Sequence, residues 1–223
     1  MSIKQYNTAG TFATIVDAQP TANRTITIPD ISGTLALVDS QAFTGTPTAP
    51  TATAGTNTTQ LATTAYVDGK MVLRTSVAST SGTSIDFTGI PTWAKRVTVM
   101  FNGVSTNGIS VKNIQLGAGS IDTSGYVGRI FSVATNTLSI TTGINIDDGG
   151  GGAADAKTGV ITLVYISGNT WVATGLIDDD LSSVTYRVTY KKTLSGILDR
   201  VRLTTVNGTD IFDAGSINIM YEG

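Results

Sequence analysis

Residues 184–191 read VTYRVTYK, and this run decides the fold class. Val184, Tyr186, Val188 and Tyr190 take every second position, while Thr185, Arg187, Thr189 and Lys191 take the others. Successive side chains of a strand face opposite ways, so this pattern is a strand with one face in a core and one in water. The same period recurs at Val97, Val99 and Phe101, at Val201, Leu203 and Thr205, and at Ile217, Ile219 and Tyr221. Residues 160–166, VITLVYI, are apolar on both faces, which marks a central strand or one that meets another subunit. Asn102-Gly103, Asn107-Gly108, Gly168-Asn169 and Asn207-Gly208 supply hairpin-turn signals between the runs. No sustained helical period follows Leu73. The expectation for residues 73–223 is an antiparallel β-sandwich with jelly-roll-like pairing.

Upstream the composition changes. Residues 43–72 read FTGTPTAPTATAGTNTTQLATTAYVDGKMV, with almost nothing to bury in the first half. Pro47, Pro50 and the β-branched threonines favour an extended chain, and a flexible linker is the alternative reading. From Asn57 the pattern predicts a helix of about four turns, with Asn57 and Gln60 as a capping box. Leu61, Ala65, Asp68 and Val72 then share one face. A short helix with so small an apolar face is marginal alone. Leu61, Ala65 and Val72 are therefore expected to join identical chains; packing on the chain's own domain is the alternative. Residues 1–42 hold only short apolar runs, at Phe12–Val16, Ile26–Ile28 and Leu35–Val38, too few to fold without other chains.

Composition removes several chemistries. The chain has 223 residues, no cysteine, no histidine, and a formal charge of −2. Disulfides, thiol nucleophiles and histidine bases are therefore absent. Its cations are scattered rather than gathered into a basic stripe, so no nucleic-acid partner is expected. No stretch approaches the roughly 20 apolar residues of a spanning helix, and the first residues, MSIKQYNTAG, are not a secretory leader. No membrane insertion and no cofactor are expected.

Two stretches carry a resemblance. Residues 43–67, FTGTPTAPTATAGTNTTQLATTAYV, resemble a repeat-like motif of tail fibre proteins from tailed bacteriophages and prophages, and residues 21–38, TANRTITIPDISGTLALV, are similar to a second motif of those proteins. Residues 85–104 and 194–221 resemble a domain that closes many such fibres. The resemblance implies a homotrimer. It makes 1–42 a segment attached to a phage tail or baseplate protein, 43–72 a trimeric neck and 73–223 a knob facing the host. With one copy of the neck motif, the shaft would be short. Residues 147–157, DDGGGGAADAK, have no counterpart in it.

Candidate chemistry is sparse. Asp147-Asp148 and Asp178-Asp179-Asp180 are the carboxylate clusters. Carboxylate pairs cleave glycosides and oxygen-rich loops bind calcium, but neighbours on a strand point to opposite faces and no EF-hand spacing is present. Solvated turns are the competing reading. Trp93 reads as core, whereas Trp171 and Tyr126, near loop edges, fit either packing or stacking on sugar rings. The least patterned loops, 105–112, 145–157 and 178–183, are the expected contact surfaces, with Tyr126, Trp171, Asn145, Asp147, Asp148, Lys157 and Asp179 as candidate receptor-binding residues. The resulting expectation is a virion protein made in the bacterial cytoplasm: a non-enzymatic tail-fibre adhesin whose knob binds a surface polysaccharide or outer-surface protein. A collar, spike or adaptor whose knob binds another virion protein is the alternative, and a glycan depolymerase the third.

Overall fold

The computed structural model describes residues 3–6, 12–15, 48–53, 56, 58, 61–132, 139–149, 152–182 and 184–223. The chain forms two compact units, residues 1–47 and 48–223. In the first, strands β1 (Ile3–Tyr6) and β2 (Phe12–Ile15) pair antiparallel with Ile3 opposite Ile15. The expected runs at Ile26–Ile28 and Leu35–Val38 lie outside the described residues.

The second unit begins with helix α1 (Thr64–Asp68), far shorter than the expected four turns. Thr63 caps it, its hydroxyl accepting from the Tyr66 amide at 3.2 Å, and Gly69 ends it. Asn57 and Gln60 lie outside the described residues. The Tyr66 hydroxyl donates to the Thr56 carbonyl at 3.0 Å, tying the helix to the stretch before it. Val72 requires a correction. It belongs not to the helix but to strand β3 (Met71–Leu73), opposite Tyr221, and packs half-buried against the core. The helix ends at Gly69, a poor helix former, and the backbone groups of the last strand then recruit the Met-Val-Leu run.

The remaining strands are β4 (Val77–Ala78), β5 (Ser84–Thr88), β6 (Arg96–Thr106), β7 (Lys112–Ala118), β8 (Ser120–Ile121), β9 (Val127–Phe131), β10 (Ile144–Asn145), β11 (Lys157–Ser167), β12 (Thr170–Asp179), β13 (Val184–Thr193), β14 (Arg200–Thr205) and β15 (Phe212–Glu222). They build two antiparallel sheets. The larger runs β3-β15-β6-β11-β12-β13-β9 with β4 beside β15, and the smaller runs β10-β7-β14-β5 with β8 beside β7. The protein is mostly β and sandwich-like: one core joins Ile114, Leu116, Val201 and Leu203 of the smaller sheet to Val97, Val99, Ile161, Leu163, Val188 and Ile219 of the larger. The period-two runs bury the expected faces, Tyr186, Val188 and Tyr190 inward with Thr185, Arg187, Thr189 and Lys191 outward.

Residues 160–166 form part of a central strand, β11, between β6 and β12. Its inner face, Ile161 and Leu163, is fully buried, while Val160 and Val164 remain exposed on the outer sheet surface. Gly168-Asn169 is the expected tight hairpin turn, both residues at positive φ (53° and 62°). Asn102-Gly103 is not a turn. It lies inside β6, where Gly103 and Val104 oppose the single residue Gly215 of β15, a bulge. The Gly103 amide, taken off the ladder there, donates to the Thr158 hydroxyl at 3.1 Å.

Candidate functional site

Strand direction gathers the unpatterned loops at one end. β6, β12 and β14 finish there, β7, β11, β13 and β15 start there, and β3 pairs with the opposite end of β15, at Met220–Glu222. With about 3.3 Å per residue, the eleven-residue β6 and β15 set the loop end roughly 30 Å from where the chain enters the sandwich.

Two loop pairs make up this end. Segments 107–111 and 206–211 are knitted by asparagine and aspartate side chains. The Ile211 amide donates to the Asn107 carboxamide oxygen at 2.8 Å, the Ser110 amide to Asp210 at 2.9 Å, and the Asn207 amide group to Asp210 at 2.6 Å. The two Asn-Gly signals therefore hold neighbouring loops together rather than making two-residue hairpins. The stretches 147–149 and 152–156 and the stretch 180–182 form the second pair, bound where the Asp180 amide donates to the Ala156 carbonyl at 3.1 Å.

Buried ion pairs anchor the frame beneath. Asp147 accepts from the Lys112 amide at 2.9 Å and from the Lys112 ammonium at 3.1 Å. Burial pushes the Asp147 carboxyl up, against the pull of Lys112 and Lys157. Lys157 donates to Asp179, which also accepts from the amides of Leu181 and Ser182, each at 3.2 Å. Burial alone would raise the Asp179 carboxyl, but Lys157 and those amides hold it below the usual carboxylate range. Asp148 is half-buried and accepts from the Tyr186 hydroxyl at 2.9 Å; burial first, then that carboxylate, raises the phenol. Asp155 accepts from the Gly152 amide at 2.6 Å, closing the turn on itself.

These contacts correct the expected contact residues. Asn145, Asp147, Lys157 and Asp179 are at most 2% exposed and so stiffen the loops from below instead of offering a surface. Period two continues through Asp178-Asp179-Asp180, turning the middle carboxylate inward. Asn145 sits in β10 opposite Asn113, both carboxamides buried without a hydrogen-bond partner among the described residues. Trp171 lies at the other end, buried edge-on to Tyr165 with ring centroids 5.6 Å apart. Tyr126 is fully buried, its hydroxyl accepting from the Leu116 amide at 2.6 Å and donating to the Asp122 carbonyl at 2.9 Å. Both aromatics are packing residues. Tyr126→Phe should cost about 1–3 kcal/mol, because the buried Leu116 amide loses its acceptor, and urea denaturation should show this as a lower midpoint at unchanged slope.

Sequence reading missed the residues that do face solvent here. Ile109 (64% exposed), Leu181 (65%), Val206 and Ile211 project from three of the four loop segments. For Ile109 and Leu181 the signal was available: each is a single aliphatic between Gly, Asp or Ser neighbours, where no strand period buries it. The carboxylates beneath are poorly placed for chemistry on a large substrate. The cavity among Ile109, Lys112, Asp147, Asp148, Asp155 and Lys157 is about 10 Å³, room for one water at most. Among the described residues no group of three carboxylates converges to hold a metal ion. Comparisons with family models, curated proteins and solved structures return no match for this chain.

Proposed function

We propose that this chain is a phage or prophage tail fibre, a non-enzymatic adhesin of the virion that binds a bacterial surface polysaccharide or outer-surface protein. The observation that carries the reading is the loop end: four segments on a frame of buried ion pairs, set far from chain entry and presenting Ile109, Leu181, Val206 and Ile211. Rigid frames under exposed aliphatics lower the ordering cost of binding. The motifs at 21–38 and 43–67 supply the virion context, with residues 1–42 docking on a tail or baseplate protein. Repeated crossing of the chain between the sheets, at β4–β5, β5–β6, β6–β7, β8–β9, β9–β10, β10–β11, β13–β14 and β14–β15, supports jelly-roll-like order.

Trimerisation belongs to the same reading. Ala65 and Val67 on the helix, and Leu61 (79% exposed) just before it, are left in solvent among the described residues, and three copies would cover them. Several knobs acting together then make weak sites effective. The adaptor reading has support as well, since exposed aliphatics suit a protein partner. Its knob would sit inside the particle.

The test has three parts. Static light scattering on the purified chain should give a trimer; a clean folded monomer refutes that assignment. The purified chain should bind host cells and block adsorption of the parent phage, whereas the Ile109→Asp/Leu181→Asp variant should do neither, with an unchanged melting curve. Particle images that place the knob at an internal position would favour the adaptor.

A further inference from the structure

We infer that the outward surface of β9 and β13, away from the loop end, is a binding groove for an acidic sugar chain. On β13 Arg187, Thr189 and Lys191 point outward, and on β9 Val127, Arg129 and Phe131 do. The register sets Phe131 opposite Arg187, Arg129 opposite Thr189 and Val127 opposite Lys191. Arg129 thus stands between the other two cations, with diagonal Cα separations of about 7–8 Å, while Arg187 and Lys191 are about 13 Å apart along the strand. Gly128 makes the close pairing possible: a Cβ there would meet the Thr189 carbonyl and approach the Tyr190 Cα to 2.5 Å. With Val172 the strands line an open groove of about 410 Å³.

The cations of this groove are unpaired and stand together. Among the described residues, carboxylates pair with Arg96, Lys112, Lys157, Lys192, Arg200 and Arg202. Aromatic rings take Lys70 and Lys95. Arg74, Arg129, Arg187 and Lys191 have neither partner among the described residues; the last three stand together on this surface, and none of the residues lining the groove is acidic. Charged residues on an edge strand guard against aggregation, which could account for Arg129 on β9. It does not account for Arg187 and Lys191, because β13 is paired on both sides.

The complement of this surface is an extended anion with apolar patches. Guanidinium forks match carboxylate and phosphate oxygens in bidentate fashion. Phe131 (50% exposed) offers a ring for the apolar face of a pyranose, and Val127 (59%) extends that floor. Single-stranded nucleic acid would need successive aromatic platforms, and Phe131 is the one solvent-facing ring among the lining residues. An acidic glycan meets both requirements. Its charge can be a uronate carboxylate or a phosphodiester, and the groove chemistry is shared by the two.

Isothermal titration of the full chain with an oligouronate, a glycerol-phosphate polymer, neutral dextran and oligothymidylate tests the assignment. Binding to one or both anionic sugar-type polymers is expected, weakening as salt is raised. The polymer bound identifies the charge. Arg187→Ala and Arg129→Ala should each weaken it about tenfold or more, Arg187→Lys should retain part of it, and melting curves should not move. The Ile109→Asp/Leu181→Asp variant should bind the polymer as the wild type does, so failure here and failure at the loop end are separable. No binding to either anionic polymer, equal binding of dextran, unchanged binding by the arginine variants, or tighter binding of oligothymidylate would each overturn the proposal.

Discussion

Lys157→Met should destabilise the protein by about 3–5 kcal/mol, the usual cost of leaving one member of a buried ion pair without its partner. Side chains of Lys157 and Asp179 are 3% and 0% exposed, so water cannot replace the lost ammonium. The Asp179 carboxylate would keep its two amide donors yet lose its counter-charge. A shift of the urea midpoint to lower concentration checks this, and the double variant Lys157→Met/Asp179→Leu should recover most of the loss. A pH dependence follows from the lowered Asp179 carboxyl. Its contribution is complete above the ordinary carboxylate value near 4 and disappears as pH falls through the lower folded-state value. Wild-type stability should therefore fall over that acid range, and Asp179→Asn should flatten that part of the profile. Unchanged stability in Lys157→Met would mean that the pair is not buried in solution.

Gly215→Ala should cost about 2–6 kcal/mol. Gly215 has φ 86°, where an L side chain adds about 1–3 kcal/mol of strain. It also faces the bulge directly. A Cβ would meet the Gly103 carbonyl and come within 2.6 Å of the Asn102 carbonyl oxygen, backbone that cannot swing aside. Overpacking of that kind adds about 1–3 kcal/mol. Gly208 provides the comparison: its φ is 69° with no atom within 4 Å of the same position. Gly208→Ala should show the strain alone, so the difference between the two midpoints measures the close approach at the bulge. Equal losses would argue that β6 and β15 pair differently.

The bulge also shows where local reading fails. Asn-Gly is a turn signal because both residues tolerate positive φ, and a bulge uses the same tolerance. Gly103 does sit at φ 62°, as a turn would require, but β15 and Thr158 catch the strand and carry it straight on. At Gly168-Asn169 no third strand intervenes between the partners, and the same chemistry closes a hairpin. The candidate site divides in the same way. That 107–111, 152–156 and 180–182 are loops was legible from broken periodicity. That Asp147 and Lys157 lie underneath was not, because their partners are remote in sequence: Lys112 is 35 residues from Asp147, and Asp179 is 22 residues from Lys157. Tyr126 looked like a loop-edge aromatic since Ser124-Gly125 precedes it. Its burial depends on a backbone amide of β7 that needed an acceptor.

By itself, the sequence determined the antiparallel β architecture, the inward faces of the runs at 97–101, 184–190, 201–205 and 217–221, the Gly168-Asn169 hairpin and the absence of thiol and histidine chemistry. These follow from alternation, turn residues and composition, which act over a few neighbours. Tertiary structure alone decided that Val72 pairs with Tyr221, that the aspartates turn inward onto lysines, and that Arg129 joins Arg187 and Lys191 on one surface. Each of these depends on which strands lie side by side. Side-chain alternation specifies a face but carries no address for its partner, and that address is settled only when both sheets close on one core.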